Sequence, residues 1–100
     1  MGLRAAFIFI APQGDPKNHL VTVTTPEVEV MTVAVSSYAQ ACATAVDLVE
    51  KGCVVIELCG GFGSEGVASV ARAVRGKAAV GVVRFDHHPG LGHRSGDEVF

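Results

Sequence analysis

Glu57 and Cys59 stand at the mouth of a glycine turn in "ELCGGFGSEG" (57 to 66), and Arg84, Asp86, His87 and His88 crowd into "RFDHHPG" (84 to 90). Carboxylates and imidazoles can transfer protons when their surroundings bring the pKa near the working pH. A thiol close to a helix N-terminus can become a nucleophile. Gly60, Gly61 and Gly63 permit positive φ and close backbone approach. A helix starting near Ser64 would add free N–H groups and the positive end of its dipole, a combination that holds phosphate or carboxylate. Gly60, Gly61, Phe62, Gly63, Ser64 and Arg84 are therefore the candidate ligand contacts. Glu57, Cys59, Asp86, His87 and His88 are the candidate catalytic groups, with acid–base work ahead of covalent chemistry through Cys59.

Each of these residues also has a plainer use. "GGFG" is neither GxGxxG nor a phosphate-loop lysine motif, and a strand-to-helix turn needs glycine for its geometry alone. Phe62 is a core lid or a ring for a ligand to stack on. Glu57 lies in an otherwise apolar strand, where an unpaired charge is expensive, so an ion pair with Arg84 competes with a general acid or base. His87, His88 and His93 with Asp86 are ligand types that zinc, nickel or iron could use. Adjacent residues of an extended chain point opposite ways, however, and Pro89 keeps His88 extended. No HxH or HExxH occurs, so His87, His88 and His93 are metal candidates only, and no cofactor is named.

The elements that would position these groups read in the order β-β-β-α-β-α-β. "AAFIFIA" (5 to 11), "VEVMTVAV" (28 to 35), "CVVIEL" (53 to 58) and "AAVGVVRF" (78 to 85) are apolar runs of strand length. "LVTVTT" (20 to 25) alternates, as a half-wet strand does. Between the last three runs lie two helical patterns. Tyr38, Ala41, Cys42, Ala45, Leu48 and Val49 recur at helical spacing behind Ser37, with Gln40 at capping-box distance, and Gly52 ends the pattern. Ser64 is expected to cap a second helix, "EGVASVARAV" (65 to 74), which Gly76 closes. Two successive crossovers imply parallel strands, with helices covering a sheet whose strands are apolar on both faces.

The expected fold is thus a single small α/β domain over residues 1 to 100, a mainly parallel sheet of four or five strands with two crossover helices. The tail from 86 to 100 reads as loop, its last residues docking on this subunit or a neighbour. Ligands of open parallel sheets bind beyond the carboxyl ends of the strands, which would bring both motifs to one edge.

Composition narrows the partners. The chain has 100 residues, 49% hydrophobic and 18% charged, where soluble domains average nearer a quarter charged. So little charge implies that a second copy covers part of the surface, and a homo-oligomer is expected. Net charge is −2 with the eight Lys and Arg scattered, which argues against nucleic acid. Three cysteines, Cys42, Cys53 and Cys59, form no CxxC and fit a reducing cytoplasm. The apolar stretch at the start is short and runs into a turn, unlike a leader, and no run approaches a membrane span.

"IELCGGFGSEG" and "GVVRFDHHPGL", with "TPEVEV" and "VSSYAQA" upstream, resemble a family of small bacterial proteins defined only as a domain of unknown function. The resemblance runs from about Phe7 to the end. It implies a compact single domain of this length and brings no activity or ligand with it. From the residues, the leading expectation is a site for a small anionic metabolite at the carboxyl edge of the sheet, with an acid–base enzyme as its extension. A non-catalytic oligomeric binding or regulatory module and a histidine-based metal domain are the alternatives.

Overall fold

The computed structural model describes residues 2–100. Five strands, β1 (Leu3–Ile10), β2 (Leu20–Thr24), β3 (Val28–Val35), β4 (Val55–Leu58) and β5 (Ala79–Val82), form one sheet in the order β2-β3-β1-β4-β5. The four-strand run β3-β1-β4-β5 is parallel, and β2 adds an antiparallel edge to β3. Helix α1 (Tyr38–Glu50) connects β3 to β4, and α2 (Ser64–Ala73) connects β4 to β5. The α/β class and element order expected from the sequence are both present.

Helix α1 begins and ends where its sequence says. The Ser37 side chain accepts from the Gln40 N–H, and Gly52 takes a left-handed φ of 98° past the last turn. The Gln40 amide oxygen reaches back one residue further than a capping box requires, accepting from the backbone and hydroxyl of Ser36. Helix α2 differs from expectation. Gly63 is its N-cap and offers no side chain, and Ser64 is its first residue.

Strand parity decides what is covered. Ile8 and Ile10 of β1, Met31, Val33 and Val35 of β3, and Ile56 and Leu58 of β4 point to one side. There they form the core with Ala41, Ala45 and Leu48 of α1 and Val70 of α2. Both helices lie on that side, because both crossovers run the same way across the sheet and a right-handed crossover then lands on the same face. The expectation of helices forcing burial on both faces is corrected here. Among the described residues no helix covers the other face, and Val21 and Val23 of β2 stand 66% and 58% exposed on it.

Candidate functional site

The four parallel strands end at a common edge, and the turn from Cys59 to Gly63 leaves β4 there. The chain after β5 folds back across this edge in two short 3₁₀ turns, Pro89–Leu91 and Gly96–Glu98. Gly60 to Gly63 are buried beneath it. A Cβ at Gly96 would fall on the Gly61 carbonyl, and one at Gly63 would meet the Asp97 carboxylate and Ser95. Positive φ occurs at Gly52, Gly76 and Gly92 rather than in this turn. The turn's glycines therefore serve close approach: Phe85 comes against Gly60, Ile10 against Gly61, and the tail against Gly63.

Asp97 occupies the place the sequence reading assigned to a ligand anion. Its Oδ1 accepts from the Gly66 N–H at 3.3 Å, its carboxylate receives the Glu65 N–H at 3.1 Å and 3.2 Å, and Tyr38 donates its hydroxyl at 2.8 Å. The Tyr38 oxygen in turn accepts from the Gly63 N–H at 3.0 Å. Burial pulls the Asp97 pKa up, but the donors from Glu65, Tyr38 and Gly66 outweigh it and hold the carboxyl below its ordinary 3.8. A carboxylate at a helix N-terminus meets otherwise orphaned N–H groups and the favourable end of the dipole. Ser95 and Glu98 complete a capping box around the second 3₁₀ turn and hold Asp97 in place.

Tyr38 links the tail to the core. Its ring stacks on Phe62, with centroids 5.8 Å apart and planes 16° apart, and the Phe100 ring lies 6.4 Å from it, tilted by 45°. Burial, followed by the Asp97 hydrogen bond and charge, pushes the phenol from 10.0 up to about 12. The chain has one tyrosine and no tryptophan, so phenolate absorbance reports Tyr38 alone. The native protein is expected to ionise with a midpoint near pH 12. An ordinary midpoint near 10.0 in the folded state would mean that Tyr38 is neither buried nor bonded to Asp97.

The remaining candidates are dispersed. Glu57 is exposed on the bare sheet face, between Phe7 of β1 and Gly81 of β5. The expected Glu57–Arg84 ion pair is not formed. Arg84 bonds instead to Asp86 at 2.8 Å, with both side chains about two-thirds exposed (67% and 64%). Such exposed pairs contribute little. Cys59 is half-buried against the core, its sulfur accepting from the N–H groups of Ile10 and Gly61. Burial raises the thiol pKa of Cys42 and Cys53.

The histidines shape the tail. His88 caps the first 3₁₀ turn through Nδ1, accepting from the Gly90 N–H, and its ring lies 4.9 Å from that of Phe85. His87 Nδ1 is 3.3 Å from the His93 carbonyl oxygen. Among the described residues no three His, Cys, Asp or Glu side chains converge as a metal would require.

Part of the predicted ligand set does share a space. Phe62, Gly63, Ser64 and Arg84, with Val67 and Val82, line a cleft of about 230 Å³ between α2 and β5. A larger groove of about 530 Å³ lies along the opposite flank, where α1 leaves β2 uncovered. It holds none of the candidate catalytic, ligand-binding or metal residues. Sequence reasoning missed Tyr38 and Asp97 as partners. The available signal was "SGDE" (95 to 98), a capping-box spacing inside a stretch read only for its breakers.

The chain matches the model of a family of unknown function, DUF6506, over residues 3–98. It belongs to that family. Neither the curated proteins nor the solved structures contain a match to it. The family match spans both motifs, the bare sheet face and the tail as far as Glu98, so all of these lie inside the DUF6506 domain. Among the described residues no helix is long and apolar enough to cross a membrane.

Proposed function

We propose that this DUF6506 domain is a binding module without turnover that works as a homo-oligomer in the cytoplasm, its copies meeting through the bare face of the sheet. The observation that carries this reading is the make-up of that face. Its strand residues include Phe7, Phe9, Val21, Val23, Val30 and Val55, and Glu57 is the single charge among the described residues there. Contiguous apolar surface of this kind marks an interface. The spread of the proton-transfer candidates supports it: Glu57 lies on the face, Cys59 packs on the core, and His87 and His88 are engaged in tail turns. Three free thiols suit a reducing compartment. Sedimentation equilibrium over a wide concentration range tests it. Multiples of the 10.3 kDa chain support the reading, and a monomer at every concentration overturns it.

A small anion in the α2–β5 cleft is the second reading, favoured by Arg84 and Ser64 lining one space with Phe62. Inorganic phosphate at a hundredfold excess over its Kd would then stabilise the fold by about 2.7 kcal/mol. Arg84→Ala is expected to abolish that thermal shift. No shift in the unaltered protein would leave the cleft without an anion.

A further inference from the structure

We propose that two copies stack sheet on sheet about a two-fold axis that runs parallel to the strands, midway between the two sheets and over β1. The inference rests on the homo-oligomer reading above and adds its geometry. Register lines the bare face up in rows. One row across the sheet reads Val21, Thr32, Phe7, Glu57, Gly81, and the next reads Val23, Val30, Ala5, Val55, Ala79. Each row runs from a tall β2 edge to a low β5 edge.

A two-fold axis along the strands exchanges left for right and keeps height. It lays β2 of one copy over β5 of the second, β3 over β4, and β1 over itself. The projecting valines at 21 and 23 then fall over Gly81 and Ala79, the smallest side chains of the face. A Cβ added at Gly81 would meet nothing within 4 Å, so the β5 edge is an open trough. Thr32 falls opposite the second copy's Glu57, where its hydroxyl can donate to the carboxylate. That pairing gives the face's one charge a partner, which burial demands, and symmetry makes it twice. Phe7 meets Phe7 on the axis.

An axis across the strands would instead set valine ridge on valine ridge, trough on trough, and the two β4 strands with their glutamates over each other. Packed sheets keep their strands within about 30° of each other, so the ridge and trough overlap as lines even where single pairs slip. With strands about 4.8 Å apart and about 3.3 Å of rise per residue, the strands β1 to β5 offer roughly 460 Å² per copy. Two copies together offer about 900 Å², just under the roughly 1,000 Å² of a specific interface before the side chains add their relief.

Charge exchange tests the arrangement, with circular dichroism reporting the fold of each variant. Thr32→Glu places like charges opposite each other twice and is expected to weaken the dimer at least about a hundredfold. Adding Glu57→Lys to Thr32→Glu is expected to restore it. Gly81→Leu fills the trough at a position where a Cβ meets nothing within 4 Å, and is expected to dissociate the dimer while keeping the monomer fold. If the unaltered protein is dimeric but Thr32→Glu and Gly81→Leu both leave its Kd unchanged, this geometry is overturned and the oligomer reading stands on another surface. A folded double variant that stays monomeric overturns it likewise. If the unaltered protein is a monomer throughout, both readings fall together and the face belongs to a different partner.

Discussion

Phe62→Ala is expected to destabilise the domain by about 3–5 kcal/mol, the usual cost of removing a buried aromatic ring. Small domains have only about 5–15 kcal/mol in total. Phe62 is 2% exposed, belongs to the core cluster and stacks on Tyr38. Removing its ring therefore empties core volume and undercuts the residue that holds the tail. Urea denaturation would read the loss as a lower midpoint, and Phe62→Leu should cost much less because most of the volume stays. A stability unchanged in Phe62→Ala would mean that the ring serves a ligand instead of the core.

Asp97→Ala comes second. It removes a carboxylate that accepts from two N–H groups of α2 and from the Tyr38 hydroxyl. Loss of a helix cap costs about 0.5–2 kcal/mol, and hydrogen bonds to charged groups are worth about 1.5–3 kcal/mol. A decrease of about 2–3 kcal/mol follows, roughly 10 °C or more in melting temperature for a domain of this size. The acid limb carries a second signature. The folded Asp97 pKa lies below the ordinary 3.8, so its contribution is fully present above pH 3.8 and is lost as pH falls through the lower folded value. Asp97→Asn should reduce the pH dependence in that window, leaving the part due to Asp15, whose bonds from Lys17 and Asn18 also hold it below 3.8. Equal acid sensitivity in the variant and the parent would place the titration on another carboxylate.

Local pattern made most of the fold legible. Apolar runs, Ser37 with its bond to the Gln40 N–H, and Gly52 in the left-handed region mark elements through contacts a few residues apart. The strand ends were harder. β5 stops at Val82, although "VRF" continues the apolar run, because β4 ends at Leu58 and offers no further partner. Which face the helices cover was hidden for a different reason. It depends on strand order, and β1 lies between β3 and β4 only because β2 turns the chain back within the sheet. Glu57 was a partial exception. Its parity against Ile56 and Leu58 already set it on the opposite side, but a strand taken as buried on both faces gave parity nothing to decide.

The site divided along the same line. Placing the glycine turn at the carboxyl edge needed only the parallel sheet. Its occupant was not visible, because Asp97 reaches Glu65 across 32 residues and Tyr38 across 59. The sequence reading offered the start of this helix to a diffusible anion, and the structure puts the chain's own Asp97 carboxylate against the N–H groups of Glu65 and Gly66.

The tail can open apart from the rest of the domain. Releasing Asp97 from the first turn of α2 exposes little apolar surface compared with unfolding the core. Native-state hydrogen exchange should resolve the two as distinct openings, with the amides of Gly63, Glu65 and Gly66 exchanging at the energy of tail release and those of β1 only when the whole domain unfolds.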